Sequence, residues 1–107
     1  MKGPLIYYEI KHMYGTDLSS TKLSAELRQN ILDEIDLGFN VEVDFNGVRT
    51  ITNGWARNAF GFIVKKKGED FFKNHILISN ASKGIKRTIL ETIDEMINET
   101  KFYEESK

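Results

Sequence analysis

Two histidines, many carboxylates and no cysteine are the material from which a catalytic or metal site would have to be built. His12 and His75 lie far apart, and neither is spaced with a second ligand in the way that metal sites require. Without cysteine, disulfides, thiolate metal sites and a Cys nucleophile are excluded. Phosphate-binding glycine loops and the Gly-x-Ser-x-Gly motif are also absent from the sequence. We therefore predict no enzyme activity, no metal and no cofactor.

Asp44 is the carboxylate whose position is most suggestive, because it lies at the end of a predicted strand. Ligands and partners of α/β proteins bind at that edge of the sheet. Its carboxylate could instead bond the backbone of the Asn46-Gly47 turn. Both interpretations, a direct functional role and a structural one, remain open for Asp44.

The loop 50–55, Thr-Ile-Thr-Asn-Gly-Trp, leads into the start of a predicted helix. Free N–H groups at a helix start suit an anion, including a phosphate placed on a hydroxyl there. The alternative is an ordinary helix start capped by Thr52 or Asn53. Trp55 is either a core residue or, if exposed, a binding hot spot. Lys65, Lys66 and Lys67 fall in the last turn of this helix, where lysines interact favourably with the helix dipole.

The elements that must position these residues follow from periodicity. Strands are predicted at 5–10, 41–45 and 75–79, from β-branched, alternating or continuous apolar residues. Helices are predicted after the caps Ser19-Ser20-Thr21, Thr52-Asn53 and Ser82, with Gly38 and Gly68 ending the first two. This alternation predicts an α/β fold with parallel strands, and region 1–17 leaves room for a further, antiparallel strand.

Composition restricts the class of protein and of partner. The 107 residues fit one domain, residues 1–107, with a core at about 5–100 and a tail, 101–107, that we expect to fray. A net charge of −1 gives no general attraction to nucleic acid. The lack of cysteine favours a cytoplasmic protein. No signal peptide and no apolar run long enough to span a membrane is found in the sequence.

Segment 41–61 resembles the central block of the STAS-like domains of uncharacterised function, which are relatives of bacterial anti-sigma factor antagonists. Asp44, Phe45, Gly47 and Val48 match its Asp-Phe-x-Gly-Val motif. The resemblance extends over roughly residues 18–97. It implies a small STAS-like α/β sandwich, with a mixed sheet of three to five strands and helices packed mainly on one face.

The resemblance also implies a regulatory, non-catalytic module whose partner is another protein, such as an anti-sigma-factor-like serine kinase or ATPase domain. In the related antagonists the loop and helix after the Asp-containing strand meet the kinase, and a serine at that helix start is phosphorylated. That serine position is Gly54 here, which has no hydroxyl, and Thr52 is the nearby candidate. The alternative function is a nucleotide- or anion-binding domain that uses the helix start at 52–55. The residues predicted to contact the partner are Asp44, Asn46, Arg49, Thr52, Asn53, Gly54, Trp55 and Arg57.

Overall fold

The computed structural model describes the backbone of residues 3–105 and the side chains of residues 3–99. Strands and helices alternate along most of the chain, as the periodicity predicts. The elements are β1 (Leu5–Glu9), α1 (Ile10–Tyr14), β2 (Asp17–Leu18), α2 (Thr21–Asp36), β3 (Asn40–Asp44), β4 (Thr50–Ile51), α3 (Asn53–Ala56), a π-helical segment (Arg57–Gly61), α4 (Phe62–Lys67), α5 (Glu69–His75), β5 (Ile76–Ser79) and α6 (Lys83–Glu105).

The central sheet has the strand order β1-β3-β5, and both pairings are parallel. Ile6, Val41 and Ile76 lie side by side across it. The two-residue strands β2 and β4 also pair in parallel. The predicted fold class is confirmed, but the expectation of a mixed sheet is wrong for the described residues. At least one helix lies between successive strands of the central sheet, which returns each strand in the same direction.

The first long helix begins and ends where its sequence signals predict. The Ser20 side chain accepts a hydrogen bond from the Leu23 amide at 3.1 Å, which caps α2. Gly38 has φ 98°, a conformation that glycine adopts without strain, and it closes the helix after Asp36. Leu27 and Ile31 are fully buried, and α2 packs against β3.

The predicted second helix is present but divided. The α3 helix runs directly into the π segment and then into α4, which Gly68 ends. An edge-to-face aromatic cluster joins Trp55 of α3 and Phe60 of the π segment to Phe45 and Phe72. Its ring centroids are 5.8 to 6.2 Å apart. The π segment packs against both α2 and α6. The sheet and the helices thus share one core.

One face of the sheet carries the core and the other lacks helices in the described structure. Val41 and Val43 point into the core and are fully buried. The opposite side chains alternate with them along each strand. We call this surface the open face; its residues are Leu5, Tyr7, Glu9, Asn40, Glu42, Asp44, Leu77 and Ser79. The expectation that helices pack mainly on one face is confirmed.

Several elements differ from expectation. Residues 10–14 form α1, in a region where the sequence indicates the end of a strand and a loop, and α5 occupies residues before the last strand for which no element is predicted. The backbone of α6 continues to Glu105, and residues 106–107 lie outside the described part. Fraying of the tail and the single-domain extent 1–107 therefore stay predictions. Within the described residues, no helix is both long and apolar enough to cross a bilayer.

Candidate functional site

Asp44 is the centre of a hydrogen-bond network at the carboxyl end of β3. Its Oδ1 accepts hydrogen bonds from the Asn46 amide at 2.8 Å and from Asn80 Nδ2 at 2.9 Å. Its other oxygen accepts one from the Tyr7 hydroxyl. The hydrogen bond from Tyr7, followed by those from Asn80 and Asn46, holds the pKa of Asp44 below its usual value. Asp44 thus joins β1, the turn after β3 and the end of β5.

The interpretation of Asp44 as a turn-bonding carboxylate is therefore realised, and its partners extend beyond the turn. The Asn46-Gly47 turn closes with a hydrogen bond from the Val48 amide to the Phe45 carbonyl at 2.9 Å, and Gly47 has φ 82°. Asn80 also has a positive φ, 54°, which asparagine tolerates better than most residues. Both turns at this edge are fixed by local conformation as well as by Asp44.

A small polar pocket lies beside this network, with a volume of about 120 Å³. That is well below the roughly 300 Å³ at which small-molecule sites begin. His12 Nε2 lies 2.9 Å from Glu9 Oε2, and the Lys11 side chain lies over Gly47. The pocket is lined by Glu9, Lys11, His12, Asp44 and Asn46.

Sequence analysis missed Tyr7, Glu9, Lys11 and Asn80 as neighbours of Asp44. A signal was available, because parallel strands end at the same edge of a sheet. The residues at the carboxyl ends of β1 and β5 could therefore have been placed beside those at the end of β3.

Arg49 forms a two-pronged ion pair with Asp17. Arg49 Nε lies 2.9 Å from Asp17 Oδ1, and a terminal nitrogen lies 2.5 Å from Oδ2. Thr50 Oγ1 donates to the same carboxylate at 3.1 Å. The Arg49 hydrogen bonds lower the pKa of Asp17 to about 2. Both side chains are largely exposed, so this pair sets the geometry of the loop more than it stabilises the fold.

The helix start at 52–55 is an ordinary capped start. Thr52 Oγ1 accepts a hydrogen bond from the Trp55 amide at 3.1 Å, and the Thr52 carbonyl accepts one from Ala56. Of the four N–H groups at this helix start, the Trp55 amide is thus bonded to the cap, and the Thr52 amide donates to the Leu18 carbonyl at 3.0 Å. The geometry does not favour the nucleotide- or anion-binding alternative.

Gly54 lies in this first turn with a helical backbone. A Cβ added there would lie 3.6 Å from the Thr21 methyl carbon, which is ordinary van der Waals contact. A serine would therefore fit at this position, and its absence has no steric cause. The Gly54 carbonyl accepts a hydrogen bond from Asn58 Nδ2 at 2.9 Å.

Trp55 is a core residue, so the prediction that it contacts the partner is wrong. It is 1 % exposed and packs edge-to-face on Phe45 and Phe60. Its position in the aromatic cluster follows from the apolar stripe of its helix, which faces the sheet.

Asn53 and Arg57 are both exposed on the helix that follows. Arg57 reaches α6, where its guanidinium lies 3.0 Å from Glu95 Oε2. The predicted residues therefore occupy three places: Asp44 and Asn46 at the polar pocket, Arg49 on the Asp17 pair, and the rest on the helix start.

No cluster of three or more His, Asp or Glu side chains that could hold a metal ion occurs among residues 3–99. Both histidines contact a polar side chain: His12 meets Glu9, and His75 Nδ1 lies 2.9 Å from Asn40 Oδ1. The Ser79 hydroxyl donates to Glu42 at 2.8 Å.

Comparison with known proteins gives one family match. The model of a STAS-like domain of unknown function (DUF4325) matches residues 25–86. The matched region runs from α2 to the first turn of α6 and includes β3, the turn after it and the capped helix start. No curated protein and no solved structure matches the chain.

Proposed function

The chain belongs to the STAS-like domain family of unknown function (DUF4325), and on that premise we propose that it is a non-catalytic regulatory module that binds another protein. The contact surface would be formed by exposed side chains of segment 44–61. The observation that carries the proposal is that this segment is held rigid from beneath while its polar side chains remain exposed.

The rigidity comes from one bond within the segment and two bonds to residues 16–18. Asp44 holds the turn at Asn46, and the Arg49 amide donates to the Thr16 carbonyl at 2.7 Å. The Thr52 amide donates to the Leu18 carbonyl at 3.0 Å, which ties the end of β4 to β2. A surface that is already ordered loses little conformational entropy on binding.

The exposed side chains are polar, and their support is apolar. Asn46, Arg49, Asn53 and Arg57 are exposed, whereas Phe45, Val48 and Trp55 anchor the same segment in the core. Polar residues presented on a rigid scaffold are typical of recognition loops. We therefore assign the contact role to the exposed residues and a supporting role to Trp55.

The non-catalytic part of the proposal is supported by how the reactive groups are used. Asp44 accepts three hydrogen bonds from neutral donors, Asp17 pairs with Arg49, and Ser79 bonds Glu42. Ser79 and Glu42 do place a hydroxyl beside a carboxylate, but among the described residues the two histidines contact Glu9 and Asn40 instead, so this pair lacks the third group that would complete a catalytic set. For the partner, the resemblance to antagonists of anti-sigma factors supports a serine kinase or ATPase domain.

Gly54 has no hydroxyl that could accept a phosphate, so this position cannot be controlled by phosphorylation. The Thr52 hydroxyl is exposed but caps the helix through its oxygen. If Thr52 is modified, the phosphate would stand at the helix start, where negative charge is favourable. Thr52 stays a candidate and not an assigned site.

The experiment is quantitative capture from a lysate of the source cells, with the immobilised domain as bait. The test variant is Asn53→Ala/Arg57→Gln, which changes exposed positions without touching the core. The matched control is Arg87→Gln on α6, which removes one charge from another exposed surface. We expect one protein to be captured at least about tenfold less by the test variant and equally by the control, since tenfold equals about 1.4 kcal/mol. Equal capture by all three forms would overturn the assigned surface.

A further inference from the structure

The open face of the central sheet is a second exposed surface with the properties of a binding site. In proteins, parallel sheets are almost always covered on both faces. Here the core covers one face, while Leu5, Tyr7 and Leu77 on the other are 46 %, 49 % and 44 % exposed. They are three of the seven large apolar side chains exposed among residues 3–99. Their concentration on one surface sets it apart from scattered exposed residues.

The open face is acidic as well as apolar. None of the sequences of β1, β3 and β5 contains a lysine or an arginine. Glu42 lies in the same row as Tyr7 and Leu77, and its carboxylate accepts a hydrogen bond from the neutral Ser79 hydroxyl. Asp44 accepts hydrogen bonds from neutral donors alone. Basic side chains lie at both ends of the open face: Lys11 and His12 line the polar pocket at the carboxyl edge, and His75 contacts Asn40 at the amino end of β3.

The dimensions of the open face match one helix. Three strands spaced about 4.8 Å apart give a width of roughly 10 Å between the outer strands. An α-helix with its side chains is about 10–12 Å across. A five-residue strand is about 17 Å long, which equals about three helical turns. Tyr7 and Leu77 would then flank the helix on the two sides of Glu42.

From these observations we propose that the open face binds an amphipathic helix of a partner protein, whose apolar stripe is flanked by lysine or arginine. The apolar stripe packs between Tyr7 and Leu77, and the basic side chains reach Glu42. Charge argues against the other occupants. A second copy would bring like-charged carboxylates together, and nucleic acids or anionic lipids would be repelled by Glu42 and Asp44. The open face adjoins segment 44–61 at Asp44, but Tyr7, Glu42 and Leu77, which carry this proposal, lie outside that segment.

The test uses three synthetic 18-residue peptides. The first is a Leu/Lys amphipathic helix, the second has the same Leu stripe with Glu for Lys, and the third is a scrambled Leu/Lys sequence. Each is titrated into the labelled domain at about 0.15 M salt, where surface charges are screened beyond about 8 Å. We expect the Leu/Lys helix alone to bind, with amide shifts concentrated in β1, β3 and β5.

Two matched variants decide whether the Leu/Lys helix binds at the open face. Leu77→Lys replaces an apolar contact by a positive charge that repels the lysines of the peptide. It should weaken binding of the Leu/Lys helix about tenfold or more. Leu90→Lys, the same change at an α6 residue that is 56 % exposed, should leave binding within about twofold of wild type. Leu5→Lys on β1 is a second test variant should Leu77→Lys fail to fold, as judged by the dispersion of its amide spectrum.

Each of four results of the peptide titrations would overturn the proposal: no binding of the Leu/Lys helix, equal binding of the acidic or scrambled peptide, amide shifts outside the sheet, or equal weakening by Leu90→Lys. Sedimentation of the free domain tests whether the open face instead binds a second copy of the chain. If wild type dimerises and Leu77→Lys alone is monomeric, the open face binds a second copy and the proposed helix is wrong.

Discussion

Replacing Gly61 with alanine would add a methyl group where the π segment touches α6. The new Cβ would lie 2.9 Å from Thr92 Cγ2 and 3.3 Å from Met96 Cγ. A carbon–carbon distance of 2.9 Å is well inside van der Waals contact. Thr92 and Met96 are each 3 % exposed, so neither side chain can move outward into solvent. The helices must therefore shift apart or distort.

The size of the effect follows from two opposing contributions. An extra methyl in a well-packed interior costs about 1–3 kcal/mol in free energy of unfolding. Alanine in place of glycine within a helix returns up to about 1 kcal/mol. Gly54→Ala gives the second contribution without the first, because its Cβ would meet only the Thr21 methyl at 3.6 Å. The two variants should thus differ by about 1–3 kcal/mol, with Gly61→Ala the less stable.

Urea unfolding followed by Trp55 fluorescence measures this difference, since Trp55 is buried and is the one tryptophan in the chain. In thermal unfolding, each 1 kcal/mol corresponds to about 4–8 °C for a domain near this size. The double variant Gly61→Ala/Thr92→Ser removes the crowded methyl and keeps the hydroxyl. It should recover part of the loss, giving a coupling energy above about 0.5 kcal/mol. Equal stability of Gly54→Ala and Gly61→Ala, or no recovery, would refute the reasoning.

Three further predictions concern the candidate site. Arg49→Gln should raise the pKa of Asp17 from about 2 toward 3.8, measured by NMR titration of the carboxyl carbon. Because the folded pKa is the lower one, the contribution of Asp17 to stability is present above about pH 4 and is lost as pH falls toward 2. Tyr7 should ionise near pH 12, because its hydroxyl bonds Asp44, and Asp44→Asn should lower that pKa toward 10.0. The folded pKa of Tyr7 is the higher one, so its contribution is present below pH 10 and is lost as pH rises toward 12. Thr52→Ala removes the cap of the Trp55 amide and should cost about 1 kcal/mol, whereas Thr52→Ser should cost less.

Each of these predictions has a contradicting result. An Asp17 pKa that is unchanged in Arg49→Gln would assign the shift to the Thr50 and Thr16 hydroxyls and not to the ion pair. A Tyr7 that titrates near pH 10 in wild type would show that its bond to Asp44 does not persist in solution. Thr52→Ala and Thr52→Ser of equal stability would remove the role of the hydroxyl as a cap.

Helix ends were predictable from the sequence because their causes are local. Ser20, Thr52 and Ser82 each bond an amide three residues further along, and Gly38 and Gly68 take backbone conformations that favour glycine. Nothing outside a few neighbouring residues is needed for these signals.

The short elements could not be predicted in the same way. The five-residue α1 and the seven-residue α5 are too short to show a helical period. The two-residue strands β2 and β4 exist only because they pair with each other across the fold. Tertiary packing, not local propensity, determines these parts.

At the candidate site, one contact of Asp44 could be predicted from neighbouring residues, whereas its other two depend on the fold. Its bond to the Asn46 amide spans two residues and was one of the expected alternatives. Its bonds to Tyr7 and Asn80 span 37 and 36 residues and depend on the order β1-β3-β5. Trp55 shows the same limit, because an apolar residue in the first turn of a helix is compatible with both core and contact until the packing is known.

The π segment Arg57–Gly61 has a consequence for how this domain could diverge. Each residue of an α-helix turns the chain by about 100°, and a π turn holds one residue more than an α turn. Deleting one residue between 57 and 61 would replace the π turn by an α turn, and because each completes about one full turn, Trp55 would keep nearly the same direction relative to α4. The same deletion within α2, which is a regular α-helix, would rotate one end of that helix by about 100° relative to the other. The π segment is therefore a place where the chain can change in length by one residue with little rotation of the side chains on either side.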